Sequence, residues 1–116
     1  MAPLTVDDLI RVARRLEGQK LSAIGGRTRF TVEVRSGSKS DYPVFTPEST
    51  GRPRPSPTRR RLEEVCAIFN RTGSLKIPDY KETGSQNLSY ILRLVEIAAS
   101  GDKGANSETA STKVRG

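Results

Sequence analysis

A chain of 116 residues with 34% apolar and 5% aromatic side chains and no tryptophan has material for one modest core and not for two. Twenty Lys and Arg against 13 Asp and Glu leave a formal charge of +7, which favours polyanionic partners over cationic ones. A single cysteine excludes an intrachain disulfide, the lack of histidine removes the usual zinc spacings, and no run of ~18 apolar residues is present to span a membrane.

The start, MAPLTVDD, has no cationic segment leading into an apolar run, so no leader is expected and the protein reads as cytoplasmic. Val6, Leu9, Ile10, Val12, Ala13 and Leu16 recur at helical spacing. Thr5 with Asp8 predicts a capping box, Leu4 with Leu9 a hydrophobic staple, and Gly18 the close of this first helix. Asp7 and Asp8 stand at the positive end of its dipole, Arg14 and Arg15 at the negative end.

Two strands are expected next, Lys20 to Ile24 and Thr28 to Arg35, joined at Gly25-Gly26, a pair that supplies the positive φ angles of a tight hairpin. The second alternates cleanly. Thr28, Phe30, Val32 and Val34 point inward, and Arg27, Arg29, Thr31, Glu33 and Arg35 form an outer cationic face. A third strand is expected around Tyr42 to Thr46, at an edge because of Pro43. Ser56 and Pro57 predict the cap and first position of a second helix running through Asn70, with Leu62, Val65, Cys66 and Phe69 buried and Gly73 closing it. After a long connection containing Pro78 and Tyr80, Ser85 is expected to cap a third helix from Gln86 to about Ser100.

That last helix is apolar on nearly every side. Leu88, Ile91, Leu92, Val95 and Ala99 make one face, and Tyr90, Leu94, Ile97 and Ala98 a second, so it is either central or shared with another subunit through Leu94 and Ile97. The expected architecture is α+β: a small three-stranded antiparallel sheet with about three packed helices, ordered α-β-β-β-α-α. Residues 1–100 form the single compact domain, and 101–116, with only Ala105, Ala110 and Val114 apolar, a flexible, disordered tail.

Charge is concentrated in Thr50 to Arg61, TGRPRPSPTRRR, which holds five arginines, three prolines and no acid. Clustered guanidinium groups bind phosphate oxygens bidentately and release counterions from a nucleic acid. Gly51-Arg52-Pro53-Arg54 resembles the centre of the AT-hook, whose Gly-Arg-Pro core lies in the minor groove of A·T-rich DNA. Thr50 stands where that motif has an arginine, which removes half of the groove-reading pair. Arg59, Arg60 and Arg61 open the second helix, where cations oppose the dipole; Glu63 and Glu64 at i, i+4 offset two of them. Ser85, Gln86 and Asn87 offer amide and backbone N–H donors for a base edge or a phosphate, or are simply first-turn residues.

A catalytic constellation is not legible. Cys66 falls on an apolar stripe without a base, Asp7/Asp8 and Glu63/Glu64 diverge by about 100° on their helices, and Asp79 with Lys81 and Glu82 reads as a solvated loop. No enzyme activity, metal or cofactor is therefore expected. The favoured function is a nucleic-acid-binding module for duplex DNA, with structured RNA also compatible, docking through Arg52, Arg54, Arg59, Arg60 and Arg61, with Arg27, Arg29 and Arg35 as a secondary surface. The alternative is a protein-interaction or assembly module, adaptor or inhibitor, using the apolar third helix and the arginines against an acidic partner.

Deleting residues 101–116 is expected to leave the melting temperature within a few degrees of the full chain and any nucleic-acid affinity unchanged. A larger drop on calorimetry would show that the segment packs on the domain, because ~1 kcal/mol moves a domain of this size by several degrees.

Overall fold

A computed structural model describes residues 3–26, 28–85 and 87–100; the segment 101–116, expected from its composition to be a tail, lies outside the described residues. The elements are α1 (Val6–Arg15), β1 (Leu21–Ser22), β2 (Arg29–Ser36), β3 (Asp41–Pro47), β4 (Arg54–Pro55), α2 (Arg59–Thr72), a 3-10 helix (Ile77–Thr83) and α3 (Leu88–Ala99). The fold is α+β with four antiparallel strands in the order β1-β2-β3-β4 and four helical segments, which corrects the expected three strands and three helices.

Both additions come from segments that carry no periodic signal. β4 is two residues inside the arginine arm, and it forms because β3 has a second edge to satisfy. Pro43 accepts the Ser56 N–H at 3.0 Å and Pro47 accepts the Gly51 N–H at 2.8 Å, so these β3 residues turn their polar groups toward the arm. Those two prolines offer no N–H in return, which limits the pairing to Val44↔Pro55 and Phe45↔Arg54. β3 is thus interior, between β2 and β4, and the edge position expected from Pro43 is corrected. The 3-10 helix orders the long connection: Tyr80 is fully buried, and its hydroxyl donates to the Ser74 carbonyl at 2.5 Å.

α1 starts as expected. The Thr5 hydroxyl accepts the Asp8 N–H at 3.2 Å, and the Asp8 carboxylate accepts the Thr5 N–H at 2.9 Å. Partial burial pushes the Asp8 carboxyl up, but the bonds from Thr5 and from Arg11 together hold it below its ordinary value. A depressed carboxyl stabilises the fold above its unfolded pKa, and this contribution disappears as pH falls through the folded value.

Other boundaries shift. The first hairpin turns at Gly25 and Gly26, with φ of +96° and +77°; its strand pairing is short, Leu21 and Ser22 followed by the Ala23 N–H donating to the Thr28 carbonyl at 2.8 Å. β2 is thereby left without a β1 partner beyond Phe30, and the Glu17 carboxylate takes the exposed Val34 N–H at 2.8 Å. α2 is capped by Thr58, not Ser56, its hydroxyl accepting the Arg61 N–H at 3.4 Å. α3 begins at Leu88 after Asn87 in the left-handed conformation, φ +63°, while Ser85 donates its N–H to the Thr83 hydroxyl instead of capping the helix.

Cross-strand pairs Phe30↔Pro47, Val32↔Phe45 and Val34↔Pro43 put one apolar sheet face toward the helices. Phe30, Phe45 and Tyr90 of α3 meet there with ring centroids 4.7–5.8 Å apart. Leu94 is 1% exposed and Ile97 half-buried against the same core. α3 is therefore packed centrally, one of the two placements its sequence allows, with Leu94 buried in the core.

Leu94→Ala is expected to cost about 2–5 kcal/mol in chemical denaturation. Leu94→Asp is expected to unfold the chain; a folded variant that only changes its sedimentation would instead place Leu94 at an interface.

Candidate nucleic-acid interface

Strand register and one ion pair bring Arg29 and Lys20 to one end of the sheet, beside the turn from which the arginine arm leaves. Arg29 opens β2, and its carbonyl accepts the Glu48 N–H at 2.8 Å, so the turn after β3 sits beside it. Lys20 reaches the same turn through an ion pair with Glu48 at 2.7 Å. The Glu48 carboxyl is held below its ordinary value, first by the Lys20 hydrogen bond and charge and further by Arg29. From that turn the chain runs through Gly51, φ +65°, into the exposed stretch Arg52, Pro53, Arg54 and Pro55. Proline at 53 and 55 fixes φ near −65° and stiffens the stretch.

The start of α3 lies against this arm. Asn87 Nδ2 donates to the Pro55 carbonyl at 3.5 Å, and the Ile24 N–H after β1 donates to the Ser89 carbonyl at 3.0 Å. Arg52 follows the turn beside Arg29, whereas Arg54 pairs opposite Phe45 at the middle of the sheet and Asn87 meets the arm at Pro55, opposite Val44. Arg27 and Gln86 lie outside the described residues, and Ser85 is engaged within its own loop by Thr83.

The arginines that form one cluster in the sequence fall into distinct classes. Arg59 meets Asp7 of α1 at 2.9 Å and Glu63 at 3.7 Å. Arg60 lies 3.9 Å from Glu64 and is 88% exposed, the geometry of a weak surface pair. Arg61 has no acid beside it among the described residues; its Nη1 donates to the Thr83 carbonyl at 2.8 Å. Arg52 and Arg54 are exposed and joined to no acid among the described residues. Arg35 stands apart. It is six residues along β2 from Arg29, about 20 Å away by strand rise, opposite Tyr42 and paired with Glu33 at 3.1 Å, which raises its pKa. The secondary surface of Arg29 and Arg35 is therefore split between the two ends of the sheet.

Two clefts flank the arm. One of about 290 Å³ is lined by Pro55, Ser56, Pro57, Thr58, Arg61 and Gly84. The other, about 360 Å³, lies between the same arm and the Gly37–Tyr42 loop and includes Lys39 and Arg59. Lys20 and Lys39 carried no sequence signal as site residues, because only strand register and the β2–β3 turn bring them near the arm.

Among the described residues no group of His, Cys, Asp and Glu is placed to hold a metal, and no helix is long and apolar enough to cross a membrane. Asp7 is engaged by Arg59, Asp8 by the capping box and Asp79 by the Ser74 hydroxyl. Cys66 is 3% exposed in the core, and its thiol is pushed up to about 12, chiefly by burial and further by the charges of Asp8 and Glu63. No family model matches the chain, and neither a curated protein nor a solved structure does.

A thiol held in this way stays protonated at neutral pH and behaves as a small apolar side chain. Native protein is expected to react with a thiol reagent at pH 7.5 only as fast as it unfolds, and fully in denaturant. Rapid labelling of the native chain would contradict the packed position of Cys66.

Proposed function

We propose that this domain binds nucleic acid, with duplex DNA preferred, through the arginine arm along the β3 edge of its sheet. The observation that carries the proposal is the pair Arg52 and Arg54: two exposed guanidinium groups on a proline-stiffened arm, with no acid engaging either among the described residues. A surface arginine usually meets a carboxylate, as Arg14, Arg35, Arg59 and Arg93 do here. Guanidinium groups without such a neighbour retain their full charge for phosphate oxygens. Arg29 adds charge beside the turn where the arm begins, and the amide of Asn87 meets the arm at Pro55.

Among the described residues a series of stacking platforms for a single strand is not set out along this surface. Phe30, Phe45, Tyr80 and Tyr90 are buried and Tyr42 is the one aromatic residue lining a cleft beside the arm, so recognition rests chiefly on phosphate geometry, which a duplex presents regularly. Preference among duplex sequences is expected to be weak, since the described residues set out no array of amides or arginines along a helix to read base edges.

Titration of a 20-base-pair duplex, a single strand of the same sequence and an RNA hairpin at several salt concentrations tests this reading. Arg52→Ala with Arg54→Ala is expected to weaken duplex binding and to reduce the log–log salt slope by about 0.9 for each phosphate that is no longer neutralised. Arg35→Ala, whose guanidinium is already paired with Glu33, is expected to leave the slope unchanged. Absence of binding to every nucleic acid at low salt would end the proposal, and a slope indifferent to Arg52 and Arg54 would remove the arm from it.

A further inference from the structure

The cleft of about 290 Å³ between the arm, the start of α2 and the loop before α3 contains one basic side chain, Arg61, and its setting differs from that of the other arginines near the arm. Arg52 and Arg54 meet no acid among the described residues, but their guanidinium groups are exposed and unanchored. Arg59 and Arg60 are held, but by carboxylates that offset their charge. Arg61 is held by a neutral group: Nη1 donates to the Thr83 carbonyl at 2.8 Å, and no acid pairs with it among the described residues.

Gly84 makes this setting possible. Its backbone is left-handed, φ +66°, and a Cβ built there would overlap Arg61 Nη1, so the guanidinium occupies the space that a side chain would fill. A guanidinium carries five N–H donors in a rigid plane, and the Thr83 carbonyl engages only one of its three nitrogens. The group lines an open cleft whose wall includes the hydroxyl residues Ser56 and Thr58. The Ser56 hydroxyl donates to the Pro57 carbonyl and the Thr58 hydroxyl accepts the Arg61 N–H, so neither brings a negative charge to the cleft.

We propose that this cleft is a phosphate subsite in which Arg61 is a preset fork. Thr83 and the glycine at 84 fix the plane of the guanidinium without offsetting its charge, and the remaining donors engage two oxygens of one phosphate. Preorganisation matters because an arginine frozen before binding loses less rotamer freedom when it meets its ligand than Arg52 or Arg54 does. The source of the phosphate rests on the function proposed above: in a bound duplex it is a backbone phosphate next to the arm. The same chemistry accepts a free phosphate group, and the experiment separates the two sources.

Wild type, Arg61→Ala, Arg61→Lys and Gly84→Ala are compared for duplex binding across salt concentrations, with inorganic phosphate as a second probe. In the phosphate arm, the Arg61 Nε–Hε and Gly84 amide resonances of the full chain are followed against chloride at equal ionic strength. Arg61→Ala is expected to weaken duplex binding about tenfold and to reduce the salt slope by about 0.9. Gly84→Ala keeps the charge but displaces the fork, and is expected to move affinity in the same direction. Arg61→Lys, a point charge without the planar fork, is expected to fall between wild type and Arg61→Ala. Phosphate is expected to shift both resonances and chloride to leave them.

If wild type binds duplex while Arg61→Ala changes neither slope nor affinity, the subsite is overturned and the arm remains. If wild type binds no nucleic acid but phosphate moves the Arg61 and Gly84 signals, the nucleic-acid reading fails and the subsite stands for a free phosphate. Loss of both responses removes both. Should Gly84→Ala fail to fold at its positive φ, the two Arg61 variants decide the outcome alone.

Discussion

Three aromatic rings hold this domain together. Phe30 and Phe45, diagonal neighbours on the inner faces of β2 and β3, both meet Tyr90 of α3, with centroids 4.7 Å and 5.8 Å from it. In a chain with 5% aromatic residues and no tryptophan, this cluster is the largest block of aromatic surface joining sheet to helices. It fixes the position of α3, and α3 in turn meets α1 and the 3-10 helix. The apolar character of α3 on nearly every side follows from that central position: Ile91, Leu92, Leu94 and Val95 all lie within 1% of complete burial.

Because α3 is anchored through Tyr90, its first turn is carried to the β4 side of the sheet, where Asn87 reaches Pro55. Two backbone-directed bonds finish the placement, from Ile24 to Ser89 and from Asn87 to Pro55. The arginine arm is therefore attached at both of its ends. β3 receives Arg54 by strand pairing, Thr58 starts α2, and the segment between is short and rich in proline. A cationic segment held this way loses little conformational freedom when it meets a polyanion, whereas a free arginine-rich tail would have to be ordered first. The core and the charged arm are mechanically connected through one helix.

Charge compensation sorts the arginines more sharply than their spacing does. The start of α1 lies along α2, with Asp7 reaching Arg59 at one end and Leu4 bonded to Asn70 toward the other, and the i, i+4 pattern brings Glu64 near Arg60. The positive start of α2 is thus partly neutralised from two directions, easing the opposition between three N-terminal cations and the helix dipole. Arg61 escapes this because the rotation of the helix turns it toward Thr83 and Gly84. Arg52 and Arg54 meet no acid among the described residues, and Glu48 in the turn before the arm pairs with Lys20.

Local patterns alone determined the capping box of α1, the alternation of β2, the glycine turn after β1, the close of α2 at Gly73 and the concentration of charge in the arm. Each depends on residues within a few positions of one another, so the spacing of Thr5 and Asp8 or of Phe30, Val32 and Val34 states the geometry directly. Tertiary structure decided the rest. β4 exists because the unpaired polar groups of β3 require a partner, and neither Arg54 nor Pro55 has strand propensity to announce it. Ser85 gave way to Asn87 at the start of α3 because Thr83 claims Ser85, and Arg35 was separated from Arg29 by the length of the strand they share. The i, i+4 pairing of Arg59 and Arg60 with Glu63 and Glu64 was legible in the sequence, but the contact of Asp7 with Arg59, 52 positions apart, and of Arg61 with Thr83, 22 apart, was not. The charge of the arm is a property of its sequence, but its availability depends on which acids and carbonyls the fold brings within reach.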